Sequence, residues 1–340
     1  MCRKLQCGGV NRSANVAGSY AEAVPLLRAA VAKLFTDDAA APVDIPSTIL
    51  GWFAADDVWD EQGRRAMFER AQALERRVGA LGAMRITLAG LSVSQAWAGQ
   101  MDEAENSYGE AAEISALIGV PPPATTGVLL EVRAWQGRED ESRAVASSTA
   151  QWGRDKGASI LEIFALMGLT VLELGLGRYP EALGWGLQIF DDDPPGFGNR
   201  ILPDVVEAGV RGGDRKAAEG ALARLTERAT ASGSPWALGL MARSTALMAS
   251  DADAETHYQE AIRRLSETAV RTELARARIC STANGFAAAS VAATPTCSCG
   301  PPTACSPRWE PSRSPNAHAW SNAPPVSPNG IRRTRTTRLV

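Results

Sequence analysis

The sequence predicts an all-α protein, an α-solenoid of about seven stacked helix pairs. Three observations support this fold class. A turn signal recurs along the chain at intervals of 39, 42, 38, 40, 36 and 37 residues. Apolar residues between these signals follow helical spacing, and alternating β-branched runs bounded by hairpin turns are absent from the sequence.

Each turn signal combines a helix stop with a helix start. The signals begin at Gly18, Asp57, Gly99, Gly137, Gly177 and Gly213, with a weaker one at Ser250. Glycine ends a helix by taking the left-handed conformation, and a following Asp, Ser or Pro starts the next helix. Acidic residues in the new first turn face the positive end of the helix dipole.

The segments between the turns carry one apolar face each. Leu222 and Leu225 lie on one such face, and Tyr258, Ile262 and Leu265 lie on another. A helix pair with one apolar face cannot bury that face alone. Stacking the pairs side by side produces a continuous core.

Composition divides the 340 residues into three parts. We expect a poorly ordered N-terminus at 1–17, the helical repeats at 18–278 and a disordered tail at 279–340. The net charge of −3 hides a body of −8 (29 basic and 37 acidic residues in 1–278) and a tail of +5. An acidic body argues against nucleic-acid binding, which needs a basic face.

The repeats resemble tetratricopeptide repeats of slightly greater length. The segments GLGRYPEALGWG (175–186), PDVVEAGVRGGDRKAAEGALARLTERATASGSPWALGLMARSTAL (203–247) and HYQEAIRRLSETAVRTELARAR (257–278) narrow the resemblance. They are similar to the helical-repeat region of large ATP-dependent LuxR-family transcription regulators of actinobacteria. In that family a P-loop ATPase precedes the repeats and a helix-turn-helix domain follows them.

The chain departs from the family at both ends. The sequence has no Gly-Lys pair, so the P-loop pattern is absent, and no terminal helix-turn-helix pattern follows the repeats. We therefore expect neither ATP hydrolysis nor DNA binding from this chain. The resemblance implies a sensor and oligomerisation region that lacks both flanking domains.

The composition of the tail indicates that it is translated from a shifted reading frame. Residues 279–287, ICSTANGFA, can be encoded so that dropping two bases yields LLYGEWLR, a stretch typical of the family's next helix. We therefore hypothesise a frameshift near codon 278. It explains why the tail is rich in Cys, Pro and Arg.

No catalytic, cofactor or metal site is predicted. Cys297, Cys299, Cys305 and His318 lack the paired spacing of zinc ligands, and the body has one histidine, His257, and no cysteine. The run Asp191–Asp193 before two prolines is typical of a solvated helix end. Trp97 and Trp135 stand two residues before turn glycines, which favours core packing over ligand stacking.

We expect a cytoplasmic, non-enzymatic protein without a membrane span or a cofactor. The concave face of the array would bind a protein segment or a small effector, and self-association is left open. Two alternatives remain: a free-standing tetratricopeptide adaptor for a protein partner, and a nonfunctional gene fragment.

Overall fold

Helices form the regular structure of the part of the chain that the computed structural model describes, residues 19–36 and 45–292. The described residues contain no β-strand, which confirms the all-α prediction. The helices are α1 (Tyr20–Thr36), α2 (Ile45–Asp57), α3 (Glu61–Val78), α4 (Leu81–Trp97), α5 (Met101–Leu117), α6 (Pro123–Thr126), α7 (Leu129–Trp135), α8 (Glu139–Lys156), α9 (Ser159–Gly175), α10 (Tyr179–Asp192), α11 (Leu202–Gly212), α12 (Arg215–Ser232), α13 (Pro235–Met248), α14 (Asp251–Ser266) and α15 (Arg271–Ala292). None of the helices described is both long and apolar enough to cross a membrane.

The helices alternate between an inner and an outer series. The inner helices α2, α4, α7, α9, α11 and α13 each contact the next inner helix, and each packs on the outer helix that follows it. The outer helices are α3, α5, α8, α10, α12 and α14. Their exposed faces carry charged pairs such as Arg65–Glu69 on α3 and Arg215–Glu219 on α12. Since inner helices have neighbours on more sides, they bury more of their length.

The predicted turn glycines lie where inner helices end and outer helices begin. Gly99, Gly137, Gly177 and Gly213 have φ of +77°, +69°, +72° and +84°. These angles belong to the left-handed region that residues with a Cβ rarely adopt. A left-handed turn therefore lies at each of these four positions, whereas Gly18 lies outside the described residues.

The turn predicted at Asp57 is wrong by two residues. Asp57 is the last residue of α2, and Trp59 takes the left-handed position with φ of +51°. This conformation costs a residue with a Cβ roughly 1–2 kcal/mol. The Trp59 side chain is fully buried, and burial of an indole is worth more than this cost.

A second set of left-handed turns joins each outer helix to the next inner helix. Gly79, Gly119, Gly157, Asp193 and Gly233 all have positive φ, at intervals of 40, 38, 36 and 40 residues. This set was not predicted from the sequence, although the glycines at 79, 119, 157 and 233 carried the signal. The glycine at the Asp193 turn is displaced to Gly196.

Distant parts of the array meet along a contact that we call the seam. It joins α1 and the α2–α3 turn to residues 193–200 and α12. Helix α1 packs on α12, and the Arg28 guanidinium donates to the carbonyl oxygen of Ser232. The Ser232 hydroxyl in turn donates to the Val58 carbonyl oxygen at 2.7 Å. The array is therefore cross-linked between residues about 174 positions apart, as well as between neighbours.

Helix α15 crosses the boundary predicted at residue 278. It continues to Ala292, so the predicted tail begins as helix, and Cys280 within it is buried. The alanine-rich stretch after Thr282 favours this continuation of the helix. Residues 1–18 and 293–340 lie outside the described part.

We predict opposite effects from alanine at two glycines that both have room for a Cβ. Gly137→Ala lowers stability by about 1 kcal/mol because φ is +69° there. Gly109→Ala, inside α5 with no neighbouring atom within 4 Å, raises stability by about 0.5–1 kcal/mol. Urea unfolding measures both changes. Equal effects of the two substitutions would contradict the assigned turn.

Candidate functional site

Four charged side chains are buried together on the inner face. Asp56 on α2 accepts from the Trp52 indole at 2.8 Å and pairs with Arg64 of α3 at 3.0 Å. Glu131 on α7 pairs with Arg200 through both carboxylate oxygens, at 2.8 and 2.7 Å. We call Asp56, Arg64, Glu131 and Arg200 the central cluster.

The Trp97 ring lies at the middle of the central cluster. The Arg64 and Arg200 guanidinium carbons lie 4.5 and 4.4 Å from the ring centroid. The indole N–H donates to Glu131 Oε1 at 2.6 Å. Guanidinium groups are attracted to an indole face, and each is also paired with a carboxylate. The two arginines are therefore held in place by both charge and ring contacts.

Burial shifts the pKa values of the central cluster. It lowers the pKa of Arg64 to about 10, against the opposing effect of Asp56. It raises the pKa of Asp56, although Arg64 and Arg200 oppose this shift. Burial also disfavours the charged form of Arg200, but Glu131 and Asp56 outweigh it and raise the Arg200 pKa. The pairing offsets part of the cost of burying Asp56, Arg64 and Arg200.

A second network, largely buried except at Arg211, lies beside the first. Arg276 of α15 pairs with Asp204 at 2.7 Å and Glu207 at 2.6 Å, both on α11. Arg243 of α13 pairs with Glu273. With Arg211, which pairs with Glu207 at 3.1 Å, these residues form what we call the second cluster. Burial raises the pKa of Glu207, but Arg276, Arg243 and Arg211 outweigh it and hold that pKa at about 2.

A small cavity lies between the two clusters. It is lined by the indoles Trp59, Trp97, Trp135 and Trp236, by charged residues of both clusters, and by apolar side chains that include Met167 and Leu240. The volume of this cavity is about 30 Å³. That is room for about two waters. The cavity is polar, aromatic and central.

Three of the four indoles in this cavity have an unmatched donor. The Nε1 atoms of Trp59, Trp135 and Trp236 are buried, with no hydrogen-bond acceptor among the described residues. Trp97 differs because Glu131 accepts its N–H. A buried donor without an acceptor costs about 1–3 kcal/mol, so three around one cavity need an explanation.

The seam has a polar network of its own. Gly196 donates its N–H to Asp57 Oδ1 at 2.8 Å, and the Asn199 amide donates to the Asp57 carbonyl oxygen at 2.6 Å. Burial raises the pKa of the Asp57 carboxyl to about 7, although the Gly196 N–H and the Arg228 charge oppose this. Asp57 is thus a site residue, although it is not the turn residue predicted.

The sequence predicts a solvated helix end at Asp191–Asp193, but the carboxylate of Asp193 is paired with an arginine. Its two carboxylate oxygens accept from Arg228 at 2.8 and 2.6 Å. Its φ of +45° places it in the left-handed turn after α10. The prolines after it end the helix as predicted, while Arg228 of α12 binds the carboxylate.

The other predicted residues have simpler outcomes. Trp97 is buried as expected, whereas Trp135 is partly exposed beneath the Arg276 guanidinium, 5.7 Å from the ring centroid. The turn glycines lie at separate inner-to-outer turns and are not brought together into a site. His257 is half-buried on α14. Cys297, Cys299, Cys305 and His318 lie outside the described residues, and the described ones contain no His, Cys, Asp and Glu group that could hold a metal ion.

We predict that removing one partner of the central cluster costs far more than removing an exposed one. Arg200→Met leaves Glu131 and Asp56 short of a buried cation and costs about 3–5 kcal/mol. The control Arg65→Met removes an exposed pair with Glu69 and costs below about 0.5 kcal/mol. Denaturant unfolding of both variants tests this, and similar losses in the two would contradict the importance of the cluster.

Comparison with known proteins does not assign the chain to a family. No protein-family model matches the chain, and no curated protein matches it in sequence. Its function is therefore inferred from the helical array, the two buried clusters and the cavity between them.

Proposed function

We propose that residues 18–278 are the effector-binding and oligomerisation region of an ATP-dependent LuxR-family regulator, built as a tetratricopeptide-like α-solenoid. Two alternating sets of left-handed turns at intervals of 36–40 residues support this, as does the contact of each inner helix with the next. The resemblance of 175–186, 203–247 and 257–278 to that family supplies the regulatory assignment. The region acts by binding, without chemistry of its own.

The central cavity is the observation that carries this proposal. Its lining comes from the α2–α3 turn, α4, α7, α9, α11, α13 and α15. A ligand in such a place contacts most of the inner helices at once, and it favours whichever packing of them fits it best. In the complete regulator, that bias would pass to the ATPase and DNA-binding domains.

The filled interior argues against a protein segment bound inside the array. A bound helix or strand needs a groove, whereas the described inner face is filled by Trp59, Trp97, Arg64 and Arg200. The lining also lacks histidine and cysteine, the side chains that most often act as general base or nucleophile.

A free-standing adaptor is the second candidate, and one observation favours it. Val78 and Leu117 are 65% and 75% exposed, and each is the last residue of an outer helix. Exposed apolar side chains are typical of protein contacts when they cluster. The gene neighbourhood separates the candidates. Remnants of a P-loop upstream and a helix-turn-helix downstream support the regulator, whereas intact unrelated neighbours favour the adaptor.

We predict that a low-molecular-mass extract raises the melting temperature of the full chain. Binding to the folded state alone adds about 2.7 kcal/mol of stability when the ligand is at a hundred times its Kd. The extract comes from the source organism and is filtered to separate small molecules from macromolecules, and the melt is followed by circular dichroism. The same extract dialysed to remove small molecules is the control. Stabilisation by the macromolecular fraction alone would contradict a small effector and favour the adaptor.

A further inference from the structure

We propose that the seam is a pH-dependent contact, which tightens when the Asp57 carboxyl is protonated and loosens when that carboxyl ionises. This inference goes beyond the proposed function and does not depend on it. It concerns how the array is held closed, rather than what the array binds.

Asp57 is the residue at which separate parts of the seam meet. Its carbonyl oxygen accepts from the Tyr20 hydroxyl of α1 and from the Asn199 amide at 2.6 Å. Its carboxyl Oδ1 accepts from the Gly196 N–H at 2.8 Å. A change in the charge of this side chain therefore acts on α1 and on residues 193–200 together.

The guanidinium that faces Asp57 is already paired with another carboxylate. Arg228 of α12 donates to both oxygens of Asp193, at 2.8 and 2.6 Å, and to Asn199 Oδ1 at 2.6 Å. Asp57 makes no ion pair among the described residues, and its carboxyl accepts from the backbone N–H of Gly196. Ionisation of Asp57 therefore places a second carboxylate beside a cation that the first one holds, and this is costly away from water.

The pKa of Asp57 agrees with this geometry. Burial raises the pKa of the carboxyl to about 7, although the Gly196 N–H and the Arg228 charge oppose the rise, and the charges of Asp56 and Asp193 add to it. An exposed aspartate has a pKa of about 3.9. The closed seam thus binds this proton more tightly than the open seam does. Closure is favoured at low pH and weakens as the pH rises to about 7.

Tyr20 and Arg228 keep their protons while Asp57 titrates. Burial and the Asp57 charge raise the pKa of Tyr20, against Arg228. Burial disfavours the charge of Arg228, but Asp193 outweighs it and raises the Arg228 pKa. The charged and titratable groups around Asp57 are Tyr20 and Arg28 of α1, Asp56 of α2, Asp193 after α10, and Arg224 and Arg228 of α12.

Hydrogen exchange of the Gly196 N–H tests the inference, because that N–H donates to the Asp57 carboxyl. Exchange is followed by NMR on the full chain at pH 6 and pH 8. The intrinsic rate at each pH is divided by the measured rate to give a protection factor. We expect the protection factor of Gly196 to fall about tenfold from pH 6 to pH 8, as proton linkage to a carboxyl of pKa about 7 requires. The control is the Ala158 N–H in the α8–α9 turn, which donates to the Gly153 carbonyl oxygen at 2.8 Å and keeps its protection.

Two variants make the assignment specific. Asp57→Asn keeps an acceptor oxygen but cannot ionise, so we expect the same protection of Gly196 at both pH values. Asp193→Asn places a residue that tolerates the left-handed turn at φ of +45°, and it releases Arg228 to pair with Asp57. A paired carboxylate ionises at lower pH, so we expect the loss of protection to shrink to about twofold.

Equal protection of Gly196 at pH 6 and pH 8 in the wild-type chain would overturn the inference. A tenfold loss that persists in Asp57→Asn would do the same, because another group would then be titrating. If Asp57→Asn alters the circular dichroism spectrum, Asp193→Asn decides alone. A loss in Asp193→Asn as large as in the wild-type chain would then contradict the role of Arg228 and the inference with it.

Discussion

The Trp97 indole held between two arginines is the contact on which the interior depends. Arg64 comes from α3, Arg200 from the turn before α11, Glu131 from α7, and Asp56 from the end of α2. These residues belong to parts of the chain about 144 positions apart. Burying four charges is favourable only when each has its partner, so the cluster tolerates few arrangements of the helices around it.

The need to fill the interior around Trp97 explains the strained turn at Trp59. At later turns from an inner to an outer helix a glycine takes the left-handed conformation without strain, as Gly99 and Gly137 do. A tryptophan there fills the interior beside Trp97 and Trp236, which a glycine cannot do. Local conformational cost is accepted because the side chain completes the core.

The helices and the turns between them could be predicted from the sequence, whereas the contacts between helices far apart in the chain could not. The helices follow from glycine spacing and apolar faces, which are local features that recur along the chain. Leu225, Tyr258 and Leu265 are fully buried, as their spacing indicated. Glycines at 79, 119, 157 and 233 would have given the second set of turns as well.

Contacts between helices that are distant in the sequence leave no periodic pattern in it. In the sequence, Arg64 on an amphipathic helix and Arg200 in a turn look like ordinary surface charges, and only their partners on α2 and α7 explain their burial. The same holds for Asp57, which accepts from the Gly196 N–H across the seam, and for Asp193, which accepts from Arg228 of α12. A single sequence contains no signal for such pairings, so the candidate site emerged only from the three-dimensional arrangement.

The central claim is that the array is closed across the seam. Double electron–electron resonance between spin labels at Ala21 on α1 and Glu227 on α12 tests it most directly. Labels carried by unnatural amino acids leave the native cysteines untouched, and both positions are exposed. Packed helices have axes about 8–10 Å apart, so closure predicts one narrow distance distribution at the short end of the measurable range. A broad distribution centred at long distance would show an open array and contradict the account.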